Sequence, residues 1–133
     1  MRILLDSNAY SNLKRGHRRV AEIVRGAERI LMPHAVIGEL LYGFRNSSRP
    51  ERNTRELHAF LDIPYVSIAA MSLTTADRYA RVAAALRARG RPIPTNDIWI
   101  AAHTMETGAD LVSFDRHFDH VEGLAWIHVS GDQ

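Results

Sequence analysis

The sequence predicts an α/β domain built on a mostly parallel sheet. Two observations carry the prediction. Short leucine-rich or β-branched runs alternate with segments of helical periodicity along the whole chain. In addition, 133 residues without a repeat, a low-complexity stretch or a linker fit one domain, spanning 1–133.

The elements follow in order. "RILL" (2–5) reads as a buried strand that ends at Asp6. Ser7 then caps a short helix that Gly16 stops. Residues 18–27 place Val20, Ile23, Val24 and Ala27 at helical spacing, and "RILM" (29–32) is a second strand. Pro33 opens a helix to about Phe44 with Val36, Ile37, Leu40 and Leu41 as its buried stripe. "RNSSRPERN" (45–53) reads as a polar turn that leads into a helix marked by Leu57, Phe60 and Leu61. "YVSI" (65–68) is a third strand, and residues 72–89 form a long alanine-rich helix that ends at Gly90. After the loop "RGRPIP", Thr95 and Asn96 are the expected caps of a helix that stops at Gly108. "DLVSF" (110–114) and "AWIHV" (125–129) complete five strands, and the terminal "SGDQ" is expected to fray.

Composition narrows the function classes. The chain has no cysteine, which removes disulfides, thiolate zinc sites and cysteine nucleophiles and suits a reducing cytoplasm. No apolar segment approaches the roughly 18 residues of a membrane span, and Asp6 cuts short the N-terminal apolar run, so neither a membrane anchor nor a signal peptide is expected. The formal charge is only +2, yet Lys14 is the single lysine among seventeen basic residues. Arginine grips phosphate with a planar fork, so the chain is compatible with nucleic acid. Composition bias from a GC-rich genome would look the same.

The acids are more informative. Ligands of open parallel sheets bind at the carboxyl ends of the strands. Asp6 follows the first strand and Asp115 the fourth; Asp97 lies at a helix start that should open on the same edge. Glu39 sits in the apolar context "AVIGELLYG", where an unpaired acid is rare. Each has a plainer reading: Asp6 and Asp115 as helix caps, Asp97 as an acid that favours the helix dipole. Taken together, carboxylates on one edge raise each other's pKa and call for a compensating cation. With oxygen ligands alone, that cation is Mg²⁺ or Mn²⁺. Such a site hydrolyses phosphodiesters.

These residues resemble the PIN-domain nucleases, in particular VapC-type toxins of toxin–antitoxin pairs. "ILLDSNAYSNL" is similar to the family's first block, "HAVIGELLYGFRNS" to its second, and "PIPTNDIWIAAHTMETGADLVSFDRHFDHVEGL" to its third and fourth. The resemblance covers nearly the whole chain and implies a PIN-like three-layer fold with about five parallel strands between helices. It makes Asp6, Glu39, Asp97 and Asp115 the acidic quartet. Asp6, Glu39 and Asp97 would be the closest metal ligands, and Asp115 would act at a second metal position or through water. Asn8 would steady the first acid, and Ser113 would order water or metal. Asp119 remains a rival to Asp115. The implied function is that of an endoribonuclease toxin, in which metal-activated water hydrolyses RNA and leaves a 5′-phosphate and a 3′-hydroxyl. The implied partners are a VapB-type antitoxin that covers the groove with an arginine, a second toxin copy, and promoter DNA reached only through the antitoxin.

Other constellations are weaker. His117 and His120 form an HxxH without a third ligand at useful spacing, and read as surface histidines. Arg87, Arg89 and Arg91 flank the loop before Thr95 and are the candidate RNA-phosphate patch; Arg45, Arg49, Arg52 and Arg55 are a second. The absence of a Gly-rich loop followed by Lys-Ser/Thr excludes a P-loop. Two alternatives stay open: a catalytically silent PIN-like module that binds RNA or protein, and a nuclease directed at DNA.

Overall fold

A computed structural model describes residues 1–131. Among these residues the chain forms five strands and six α-helices: β1 (Arg2–Leu5), α1 (Ser7–Lys14), α2 (Arg18–Gly26), β2 (Arg29–Pro33), α3 (His34–Arg45), α4 (Pro50–Leu61), β3 (Val66–Ala69), α5 (Leu73–Ala88), α6 (Thr95–Thr107), β4 (Asp110–Ser113) and β5 (Trp126–His128), with a 3-10 helix over Arg116–His120. The strands make one parallel sheet in the order β3-β2-β1-β4-β5. β1 is central, and Ile3, Leu4 and Leu5 are fully buried, as strands covered on both faces require. From β1 the chain steps outward to β2 and β3, then returns past β1 to β4 and β5. The direction of winding therefore reverses between β1 and β4, and a crevice opens at their carboxyl ends. Asp6 and Asp115 stand there, directly after β1 and two residues after β4.

Aromatic contacts fix the helices that border this crevice. Tyr10 of α1 meets Phe60 of α4 edge to face at 5.2 Å. Tyr79 of α5 stacks on Trp99 of α6 at 4.0 Å. Gly108 ends α6 in the left-handed region (φ 70°), where a residue without a Cβ is favoured, and so turns the chain into β4.

Three sequence expectations need correction, and one element is not foreseen. Asp6, not Ser7, is the N-cap of α1: its side chain accepts from the Ala9 amide at 2.9 Å. Pro94, not Thr95 or Asn96, occupies the N-cap position of α6, and no side chain bonds there. The segment 45–53 is only partly a turn, because α4 begins at Pro50, whose fixed φ and missing N–H suit a first helical position. The segment after β4 carries a 3-10 helix that the sequence pattern does not announce. Of the expected frayed "SGDQ", residues 132 and 133 lie outside the described residues. No described helix is long and apolar enough to cross a membrane.

Candidate metal centre

The crevice is a groove of about 460 Å³ whose lining includes Asp6, Glu39, Asp97 and Asp115. The four acids come from four places: the end of β1, the middle of α3, the first turn of α6 and the end of β4. Folding alone brings them together.

Asp6 is the most constrained. Only 6% of it is exposed, and both carboxylate oxygens are engaged: Oδ1 accepts from the Ala9 amide, Oδ2 from the Ser113 hydroxyl at 2.5 Å. Burial pushes its pKa up to about 6; the bonds from Ser113 and Ala9 oppose the rise, and the nearby charges of Asp97 and Glu39 add to it. Ser113 is fully buried, and its Oγ also accepts from the Asp115 amide at 3.0 Å, so one hydroxyl ties the first acid to the fourth.

Asp97 lies in the first turn of α6, but its carboxylate does not cap the helix. It points to His117, whose Nδ1 is 3.1 Å from Asp97 Oδ2 and 3.0 Å from Asp115 Oδ1. Burial raises the Asp97 pKa, the His117 bond opposes it, and the charges of Asp115 and Glu39 raise it further. Asp115 caps the 3-10 helix through the His117 amide at 2.9 Å, which folds the His117 ring back over the acids. Asp97, Asp115 and His117 each offer one ligand atom within a sphere that one cation could share.

Glu39 differs from its sequence reading. Its apolar neighbours do not bury it; it is exposed and accepts from Ser7 Oγ at 2.8 Å. Ile37 and Leu41 are only half-buried, so the buried stripe of α3 narrows to Val36 and Leu40 and leaves Glu39 open to the groove.

The supporting residues separate. Ser113 contacts Asp6 directly. Asn8 lines the groove and is exposed, while the hydrogen bonds to Asp6 come from Ala9 and Ser113. Asp119 is exposed and does not line the groove, which places Asp115 rather than its rival among the acids. The HxxH does not converge: His117 joins the acids, whereas His120 lines a separate cavity beside Leu86 and Val121. Sequence reasoning missed His117 and Ser7. An acid two residues before a histidine at a strand end is the available signal for His117, since that acid can cap the turn and draw the ring back. In the arginine loop, Arg89 is engaged with Glu122 at 3.3 Å and with the His120 carbonyl, away from the acids. Arg87 and Arg91 are exposed.

Residues 3–124 match the family model described as PIN domain. The chain belongs to the PIN-domain family. This PIN domain is 30% identical over 127 residues to Ribonuclease VapC2 of Haemophilus influenzae, covering 93% of the chain and 95% of the relative. It is 31% identical over 87 residues to the tRNA(fMet)-specific endonuclease VapC of Shigella flexneri, covering 65% of the chain and 64% of that protein. Among solved structures it is similar to VapBC-1 of nontypeable Haemophilus influenzae, with a TM-score of 0.84 at 26% identity over 96% of this chain and 98% of the other. The sheet and flanking helices of the PIN domain are thus those of VapC structures, as the sequence predicts.

Proposed function

We propose that this PIN domain is a divalent-metal-dependent endoribonuclease and the toxin of a toxin–antitoxin pair. The observation that carries the reading is the convergence of Asp6, Glu39, Asp97 and Asp115 on one groove at the switch point of the sheet. The donor set fits Mg²⁺ or Mn²⁺: the four acids are hard oxygen donors, and no thiolate is available. The raised pKa values of Asp6 and Asp97 mark carboxylates that a cation would let ionise. Asp6, Glu39 and Asp97 would hold the ion, with Asp115 at a second position or acting through water. When bound, the ion supplies Lewis acidity, which lowers the pKa of water and offsets charge on a phosphate.

The chain's own part is positioning. Ser113 and the Ala9 amide hold Asp6 by both oxygens, Ser7 holds Glu39, and His117 holds Asp97 and Asp115 on a common nitrogen. Asn8 stands at the rim of the groove, where it can meet substrate or water. The substrate is an RNA phosphodiester, cut to a 5′-phosphate and a 3′-hydroxyl, and the activity belongs in the cytoplasm. The likeness to named ribonucleases and to a VapBC complex supports this reading and a VapB-type antitoxin partner. The antitoxin would cover the groove with an arginine, which pairs with carboxylates through two parallel bonds. The toxin would form a homodimer, and the complex would reach promoter DNA through the antitoxin.

The test is cleavage of single-stranded RNA and DNA side by side. RNA should be cut with Mg²⁺ or Mn²⁺ and left intact in EDTA, and Glu39→Gln should lower the rate by about 100-fold or more, since even outer partners of a metal site are worth 10–100-fold. Undiminished cutting by metal-stripped protein in EDTA overturns the mechanism.

A further inference from the structure

We propose that a basic cleft between α1 and α4, continuous with the acidic groove, grips a backbone phosphate of the RNA a few nucleotides from the bond to be cut. The proposal rests on the nuclease reading above.

The cleft has a volume of about 350 Å³ and is lined by Tyr10, Lys14, Arg15, Phe44, Arg52 and Glu56, among others. It shares Ser11 and Phe44 with the groove that holds the four acids. Helix α1 connects the two. Asp6 caps its N-terminus in the acidic groove, and Lys14 and Arg15 stand at its C-terminus in the cleft. Its eight residues span about 12 Å.

The charges suit a polyanion. Three cations, Lys14, Arg15 and Arg52, face one carboxylate, Glu56. Glu56 is engaged with Arg52 Nε at 3.4 Å. Lys14 has no carboxylate partner among the described residues; its ammonium lies 5.7 Å from the ring centre of Tyr10 and 5.5 Å from that of Phe60. Arg15 is exposed and takes part in no ion pair among the described residues. The Tyr10 hydroxyl is buried and has no hydrogen-bond partner among the described residues. The cleft thus offers Arg15, which is in no ion pair among the described residues, and Lys14, which is held only over two aromatic rings.

A phosphodiester strand needs such a place. Four carboxylates repel its backbone everywhere except at a bound cation, so the flanking phosphates must find protein cations outside the acidic groove. The cations of the cleft line a cavity that shares walls with that groove. Phe44, half-buried on the common wall, offers a face on which a base can stack. A basic groove with an aromatic wall is the pattern of single-strand binding, and it favours RNA over an acidic peptide. The Arg87–Arg91 loop does not line either cavity.

The experiment measures binding of a fluorescent single-stranded RNA of mixed sequence to the full chain in EDTA, where binding is read without cleavage, over a series of KCl concentrations. The double variant Lys14→Gln/Arg15→Gln should bind at least about tenfold more weakly at low salt. Its slope of log affinity against log salt should be shallower by about 0.7 for each phosphate that the variant no longer neutralises. Arg15→Gln alone disturbs no side-chain packing, so it should keep the parent Tm and shift affinity and slope in the same direction. Arg87→Gln/Arg91→Gln should change neither. Unchanged affinity and slope in both cleft variants overturn the proposal, as does loss of binding confined to the Arg87/Arg91 variant. If an acidic protein segment is the occupant, the double variant loses affinity for a polyglutamate peptide and keeps that for RNA, which also overturns it. Failure of the nuclease reading is separate: the parent would then leave RNA uncut with Mg²⁺ while its RNA binding in EDTA still depended on Lys14 and Arg15.

Discussion

Single residues at this site serve two demands that conflict. Asp6 caps α1, a role in which a charged oxygen is favoured, yet it is almost wholly buried beside Asp97 and Glu39, where charge is disfavoured. Burial wins, and the pKa rises from 3.8 to about 6. The linkage has a definite sign. A carboxyl group whose pKa is higher folded than unfolded binds more protons in the native state between the two values, so stability falls as pH rises through that window. At one pKa unit per 1.36 kcal/mol, the loss between about pH 4 and pH 6 is about 3 kcal/mol. Asp6→Asn keeps the capping acceptor for the Ala9 amide, presents an NH2 to Ser113 Oγ where the protonated acid presents an O–H, and cannot ionise. In EDTA its Tm should match the parent's near pH 4, exceed it progressively up to about pH 6, and stay above it at constant offset beyond. A Tm difference between variant and parent that does not change with pH would show that Asp6 ionises in the native state as it does in the unfolded chain. His117 has its own double part, since one ring nitrogen serves two carboxylates and its backbone amide serves as the donor to Asp115.

Elements deliver these side chains, and most of them can be read from the sequence. The five strands stand out because each is a short apolar run, and α6 ends at Gly108 as a glycine stop requires. What escapes is decided by contacts between segments far apart in the chain. Asp6 and Ser7 are both good caps, and only the length of β1 decides between them. The polar residues around Pro50 look like a turn because α4 turns them outward; its buried residues, Leu57 and Phe60, come later. Glu39 looks buried in sequence because its neighbours are apolar, but their burial depends on which face of α3 meets the sheet. His117 looks paired with His120 because they are three residues apart, yet the short 3-10 helix sends the two rings to different cavities. The four acids that line the groove stand out in the sequence, since each sits at a strand end, at a helix start or in a motif of its own. Gly108 caps the C-terminus of α6, at the far end from Asp97, and has open space around it, so the cost of adding a Cβ there is purely that of a left-handed backbone. Gly108→Ala should therefore lower stability by about 1–2 kcal/mol in denaturant titration, with Mn²⁺ affinity unchanged. A loss of metal affinity equal to that of a quartet variant would mean that this turn sets the register of Asp97 in the groove.

The whole molecule concentrates negative charge at one point of a chain whose formal net charge is +2. Folding gathers four carboxylates that the unfolded chain keeps apart, and their burial and mutual repulsion at Asp6 and Asp97 cost stability. A divalent cation that binds the folded chain and not the unfolded one offsets that cost by RT ln(1 + [L]/Kd), about 2.7 kcal/mol at one hundred times Kd. The Tm should accordingly rise with Mg²⁺ or Mn²⁺ in a saturable way, beyond any change produced by KCl at equal ionic strength. Asp97→Asn separates the site from the fold. The N-cap of α6 is Pro94, so no capping bond is lost. The dipole attraction forgone is about 0.3–1 kcal/mol, and relief of repulsion from Asp115 and Glu39 acts in the other direction. In EDTA the variant should melt at or above the parent, because sites built for function are held at the expense of stability. With Mg²⁺ its Tm should scarcely move, and its RNA cleavage should be lost. Parent and variant melted side by side in EDTA and in Mg²⁺, with cleavage assayed on the same samples, decide the matter. A variant that melts well below the parent in EDTA and still cuts RNA with Mg²⁺ would make Asp97 a structural acid, and the metal centre would have to be sought away from the switch point.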